Sequence, residues 1–256
     1  FFSFIGSSNI GWMLRFKLSA GTRCALEHGG AAPVIVAADA ALDESLPQLV
    51  KGGFYHAGQV CVSVQRVFVH ASLLNEVSER ISILAGQLRV GEPLSEETDV
   101  GPLIRHRETK RIAEWVDTAV ASGAQLLTGG RILSDSLYQP TVLLNPPHES
   151  AVSKREIFGP VICLYGYEQI DEAIRWANSV PYAFQAAIMS NDINAVMYAF
   201  KRLNASAVMV NDHTAFRVDW MPFAGLRQSG YGVGGIPYTY RDMQIEKMLV
   251  IHSSAL

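Results

Sequence analysis

Cysteine is scarce in this chain. There are three, Cys24, Cys61 and Cys163, and no two stand in a CxxC spacing. A disulfide framework and a cysteine-built zinc site are therefore not expected. The seven histidines form no HExxH or His-Cys cluster, so no metal site is expected either. Charge is thin as well: 18% of residues are charged and the net charge is −3. A basic surface for nucleic acid is missing, so no nucleic-acid partner is expected. No apolar run approaches the roughly 18 residues of a membrane-spanning helix, and no membrane partner is expected. A basic secretory leader is also lacking, so the expected compartment is the cytoplasm, where the sequon Asn204-Ala205-Ser206 has no meaning.

What the chain does have is apolar residues, 49% of its 256, enough for a sizeable core. Strand and helix patterns alternate. Strands are expected over 1–5, 20–26, 32–37, 65–71, 125–128, 138–144, 161–167, 183–189 and 207–210. Helices are expected over 10–18, 43–55, 72–88, 105–122 and 169–178, with Ser7 or Ser8 capping the first and Asp43 the second. A last one starts at Asp192, with Ile193, Val196, Met197, Phe200 and Leu203 inward. The alternation predicts an α/β fold: a mostly parallel sheet with helices on both faces. The alternating charges of 105–122 read as a solvated face.

Two glycine-containing stretches carry candidate chemistry. Leu26-Glu27-His28-Gly29-Gly30 offers a carboxylate, and Gly58-Gln59-Val60-Cys61 a thiol. A thiolate is a strong nucleophile, and a carboxylate can take a proton or activate water. A helix following Cys61 would favour its thiolate through the dipole. The alternative is that Cys61 is a small buried hydrophobe. Gly6-Ser7-Ser8-Asn9-Ile10-Gly11, between a strand and a helix, is either a phosphate-binding turn or an ordinary one. Gly230-Tyr231-Gly232-Val233-Gly234-Gly235 satisfies GxGxxG, but no strand is expected before it and no amphipathic helix after it. It reads as a flexible turn. Residues 246–253 read as an exposed apolar strand, a liability in a monomer.

Taken together, the LEHGG and GQVC stretches, Gly101-Pro102-Leu103-Ile104, Pro140-Thr141-Val142-Leu143, Glu156-Ile157-Phe158-Gly159-Pro160 and Pro222-Phe223-Ala224-Gly225 with Ser229-Gly230 resemble the aldehyde dehydrogenase superfamily, in the family's order. The resemblance implies the catalytic half, preceded by only the last part of the cofactor domain: a remnant over 1–29, a catalytic domain over 30–228, and a return segment with an oligomerisation strand over 229–256. Phe1 is not an initiator methionine, and the chain is expected to be a fragment, a truncated product or half of a split protein.

The resemblance further implies oxidation of a small-molecule aldehyde with NAD or NADP, through a thioester on Cys61 hydrolysed with Glu27 as general base. Gly6, Ser7 and Gly11 would match the pyrophosphate-side turn, Gly29 the turn beside the nicotinamide, Glu156 the carboxylate that holds ribose hydroxyls, and Phe158 the ring near the nicotinamide. Phe223 would match an aromatic wall of the substrate funnel. The closing strand would join a neighbouring subunit, giving a dimer or tetramer. Ala224, Arg227 and Val233-Gly234 depart from the usual pattern. Arg217, in the stretch matching the substrate entrance, suggests a short anionic aldehyde, with His213 assisting; the alternative for Arg217 is an ion pair with Asp212 or Asp219. Two rivals stand beside the dehydrogenase: a non-catalytic oligomerising fragment, and a cysteine hydrolase, for which no histidine partner is evident (His56 is near but unassigned).

Overall fold

The computed structural model describes residues 1–254 and divides their strands among two sheets and a short ribbon. In chain order the elements are β1 (Phe2–Ile5), α1 (Ser8–Arg15), β2 (Cys24–Glu27), β3 (Ala32–Val36), α2 (Leu42–Phe54), β4 (Val64–His70), α3 (Leu74–Gly86), α4 (His106–Ala121), β5 (Gln125–Thr128), β6 (Thr141–Leu144), α5 (Ala151–Lys154), β7 (Val161–Tyr167), α6 (Ile170–Ala177), β8 (Tyr182–Ala183), β9 (Gln185–Met189), α7 (Ile193–Arg202), β10 (Ala207–Val210), β11 (Leu226–Arg227), β12 (Gly230–Tyr231) and α8 (Ile236–Asp242).

The large sheet has seven strands in the order β10-β9-β3-β4-β7-β6-β5. All its pairings are parallel except β5 on β6. Its strands are apolar on both faces, as a sheet covered twice requires: Val34, Ile35 and Val36 in β3 and Ile162, Cys163 and Leu164 in β7 are wholly buried. The step from β3 to β4 runs toward β7, and the step from β7 to β9 runs back. Right-handed crossovers then put α2 and α3 on one face and α6 and α7 on the other, and the helices of each pair touch. The α3 stripe of Val77, Ile81 and Ala85 is buried, each large apolar side chain contributing about 1.5–3 kcal/mol. The expected α/β architecture is what forms.

The small sheet, β1-β2-β12, pairs the start of the chain with a late segment. β1 lies parallel to β2, and β12 antiparallel to it, with Gly230 opposite Glu27. Glu27 thus ends β2 at its carboxyl end, and after four intervening residues β3 opens its strand of the large sheet. The cleft between the sheets faces the amino ends of β3, β4 and β7.

Several expectations are corrected. Asp43 sits in the first turn of α2, and Ala41 is its N-cap. Ser7 caps α1 without a side-chain bond. Asp192 does cap α7, accepting from the Asn194 amide at 2.8 Å. Of the stripe expected on α7, however, only Val196 and the flanking Leu203 are buried, with Ala199 beside them, while Ile193, Met197 and Phe200 are exposed. The Gly230–Gly235 stretch is not a loose turn: it begins as β12, Gly234 and Phe223 exchange two backbone hydrogen bonds, and α8 follows. Among the described residues, 246–253 are assigned no strand and lie exposed. Among the described residues no helix is long and apolar enough to cross a membrane.

Candidate active site

The thiol stands on a turn of unusual handedness. After α2, His56, Ala57 and Gly58 adopt φ of 51°, 55° and 68°, three consecutive left-handed residues. Each non-glycine residue there costs about 1 kcal/mol or more, so surrounding contacts must hold the turn. At Gly58 a Cβ would strike the Gly159 carbonyl. Gln59 supplies the clamp. Its amide group donates to the carbonyls of His56 at 3.1 Å and Pro102 at 3.2 Å, and its carbonyl accepts from the Ile104 amide at 2.9 Å. The Gly101–Ile104 motif therefore braces the Cys61 loop. Cys61 leads into β4 rather than a helix, so no helix dipole assists the thiol.

The carboxylates come from the opposite walls. Glu27 ends β2, and its backbone carbonyl accepts from the Gly6 amide at 3.1 Å. Glu156 enters from the segment before β7. Its carboxylate lies where a Gly29 side chain would be and accepts from the Gly30 amide. A side chain begun at Gly30 would stand 3.7 Å from the Cys61 carbonyl oxygen, which fixes how closely this turn approaches the thiol loop. Buried Gln65 holds the Glu156 segment from both sides: it donates to Val152 and Arg155 carbonyls at 3.0 and 2.7 Å and accepts from the Ile157 amide at 2.9 Å. Arg111 donates to the Ile157 carbonyl at 2.6 Å, so the α4 charges are not all a solvated face. One Glu156 oxygen, Oε1, is buried with no hydrogen-bond partner. Phe158 follows at φ 49° and is partly exposed.

An aromatic wall closes the cleft. Phe223 packs on Phe184 with ring centres 4.6 Å apart, in a cluster with Val62 and Ala215 that Tyr55, Val60 and Cys61 join. The Arg217 guanidinium lies over the Phe223 ring, 4.4 Å from its centre. Among the described residues no ion pair joins Arg217 to Asp212 or Asp219. His213 does not open into the cleft as an assisting group would. It is buried behind Tyr55, its ring centre 6.4 Å from the tyrosine's, with Nδ1 unpartnered.

The upstream turn separates into two roles. Gly6 and Ser7 lie at the start of α1, with Ser7 as its N-cap. Gly11 is inside the helix: its amide donates to the Ser7 carbonyl at 3.0 Å, and His28 fills the space a side chain would need. Gly11 is thus a packing glycine, not a free member of an anion-binding turn. His28 itself is 1% exposed, with Nδ1 3.0 Å from the Gln228 carbonyl.

Burial dominates the electrostatics. It pushes the Cys61 thiol up to about 11, with the Glu156 and Glu27 charges adding to the effect and Arg217 opposing it. It pushes Glu156 up to about 7 against the Gly30 amide and Arg111. Burial also raises Glu27, while Arg217 holds it down. Burial and then the Cys61 charge raise the Tyr55 phenol. The cleft therefore gathers Cys61, Glu27, Glu156, Arg217 and Phe223, while His213 and Gly11 pack behind it. Tyr55, Gln65, Arg111 and Phe184 are additions; Gln65, a lone amide in an apolar strand pattern, was the one with a visible signal. A thiol, two proton-hungry carboxylates and a cation beside an aromatic wall suit nucleophilic attack on a polarised carbon with proton transfer.

The aldehyde dehydrogenase family model matches residues 1–249. The 3-sulfolactaldehyde dehydrogenase of Priestia aryabhattai is 37% identical over 252 residues, covering 98% of this chain and 52% of that protein. Glyceraldehyde-3-phosphate dehydrogenase of Methanocaldococcus jannaschii, solved with NADP, superposes with a TM-score of 0.90 at 38% identity, covering 94% of this chain and 52% of that one. Aldehyde dehydrogenase 21 of Physcomitrella patens, solved with its reaction product succinate, gives 0.91 at 39% identity, covering 94% and 50%. The chain spans about half the length of the curated relatives it matches.

Proposed function

The chain belongs to the aldehyde dehydrogenase family, and from that premise we propose that it carries the catalytic half of an NAD(P)-dependent oxidation of a short anionic aldehyde to its acid. The observation that carries this reading is the meeting of Cys61, Glu27 and Arg217 around the Phe223 wall. The relatives named for sulfolactaldehyde and glyceraldehyde 3-phosphate act on aldehydes that bear an anionic group, which supports it.

The cofactor is NAD or NADP, and Glu156 fits it. Its Oε1 is a buried acceptor without a donor, which a ribose hydroxyl would supply. Glu156 would hold that ribose, Gly29 and Phe158 would line its nicotinamide end, and Gly6 and Ser7 its phosphate side. When bound, the cofactor would supply the hydride acceptor that the Cys61 adduct needs to become a thioester.

The chain's own groups do the rest. Buried and predominantly protonated at neutral pH, the Cys61 thiol gives up its proton to a base, and Glu27 is the carboxylate whose raised proton affinity suits that task. The sulfur then bonds to the aldehyde carbon, and the Cys61 backbone amide donates to the resulting oxyanion. Glu27, its proton lost to solvent, draws one from water. The hydroxide attacks the thioester carbon, the carbon–sulfur bond breaks, and Cys61 is restored. Arg217 pairs with the substrate's distal anion, and Phe223 keeps water from the apolar side.

The test is aldehyde-dependent NAD(P)H formation with neutral and anionic short aldehydes. Arg217→Ala is expected to raise KM for the anionic aldehyde about 10- to 100-fold and leave the neutral one nearly unchanged. An unchanged KM for the anionic aldehyde removes Arg217 from the site. Tight NAD(P) binding by this chain counts against the non-catalytic reading.

The same proposal includes a homo-oligomer, dimer or tetramer. The exposed run Met248-Leu249-Val250-Ile251, the edge strand β10 and the exposed Ile193, Met197 and Phe200 support it. Light scattering on the purified chain is expected to give at least twice the monomer mass, and truncation after residue 245 to lower it.

A further inference from the structure

Glycine at position 234 has no conformational reason to be glycine. Its φ lies outside the left-handed range, and its amide and carbonyl both bond Phe223, as any residue in a bridge would. The reason is spatial. A Cβ there would overlap Glu27 Oε1 and stand 2.9 Å from the Phe223 carbonyl oxygen. Of those two obstacles, the first is the end of a flexible side chain and the second is backbone.

We propose that Gly234 is a positioning residue for the Glu27 carboxyl: the absent side chain opens the niche, walled by the Phe223–Gly234 bridge, in which the base is held. The bridge joins the two functional walls of the cleft. Phe223 carries Arg217 on its ring and Gly234 receives Glu27 at its α-carbon, so the anion-binding side and the base are set by one pair of backbone hydrogen bonds, 3.0 and 2.8 Å long. Gly230 assists from the neighbouring strand. It lies opposite Glu27 in the β2–β12 pairing, and a side chain there would press on the Leu26 carbonyl. A side chain at 234 would force the carboxyl out of that niche. The significance of the niche for turnover rests on the reading of Glu27 as base, but its existence does not.

The test is a double-mutant cycle that needs no turnover. The rate of Cys61 alkylation by iodoacetamide is measured across pH in the unsubstituted chain, Gly234→Ala, Glu27→Ala and the double variant. The thiol feels Glu27, so moving the carboxyl changes the rate. Gly234→Ala is expected to change it about threefold or more when Glu27 is present and to leave it nearly unchanged when Glu27 is alanine. Equal effects in both backgrounds, or none in either, overturn the proposal, since the glycine then serves only the Phe223 carbonyl. Thermal unfolding covers the case where Gly234→Ala folds poorly. Recovery of its melting temperature in the double variant supports the niche, and equal loss in both overturns it. Failed aldehyde oxidation with an intact cycle would refute the dehydrogenase reading alone.

Discussion

Cys61, the nucleophile of the proposed reaction, is a thiol that its surroundings do not activate. Catalytic thiols gain from helix termini or nearby cations, whereas this one has a strand after it, two carboxylates facing it and Arg217 as its counterweight. Alkylation of Cys61 should therefore rise about tenfold per pH unit from pH 7 to 10, without a plateau, because the thiol is pushed up to about 11. A plateau near pH 8 in a rate profile would show that the thiolate is stabilised. Glu27→Gln should lower steady-state turnover about a hundredfold or more while leaving a first-turnover burst of NAD(P)H visible in stopped flow, if thiol activation is the less demanding of its two tasks.

At the scale of elements, side chains of β4 organise the cleft. Gln65→Leu leaves the Ile157 amide buried without an acceptor and takes the Gln65 donor from the Val152 and Arg155 carbonyls, so a loss of about 2 kcal/mol or more is expected in urea unfolding. Beside it, Arg66 is 3% exposed and donates to the Ala31, Trp176 and Ala177 carbonyls at 2.9–3.0 Å, tying the glycine turn to the end of α6. Removing the α7 cap, Asp192→Ala, should cost about 1 kcal/mol by the same measurement. These elements also mark what the sequence could reveal. β7 falls on its expected span because an apolar run bounded by Pro160 and a following helix pattern leaves no choice. The Cys61 loop does not read as it folds, because left-handed His56 and Ala57 carry no local signature; distant Pro102 and Ile104 hold them through Gln59. The α7 stripe has helical period and yet is half exposed, since period identifies a face and not what covers it. Cys61, Glu27 and Glu156 were legible through their motifs. Gly234 was visible only as a departure, because its reason is a carboxylate supplied from residue 27.

For the whole molecule, the buried acids set how stability responds to pH. Glu156 is raised to about 7 in the fold from 4.5. A carboxyl raised by folding favours the native state fully below its unfolded value, and that contribution disappears as pH climbs through the folded one. Stability should thus fall between about pH 4.5 and 7 on this account, by an amount on the order of 2–3 kcal/mol. Glu156→Gln should raise the melting temperature at pH 8 and change it little at pH 4.5. An equal shift at both values would mean that the carboxyl is not raised. The two sheets have a consequence in time as well. β2 is made early, but its partner β12 and the glycine beside Glu27 come from the last tenth of the chain. A nascent chain paused before residue 230 already contains Cys61 but not the strand that pairs with β2 or the glycine against Glu27, so during synthesis the proposed nucleophile precedes the niche of its proposed base.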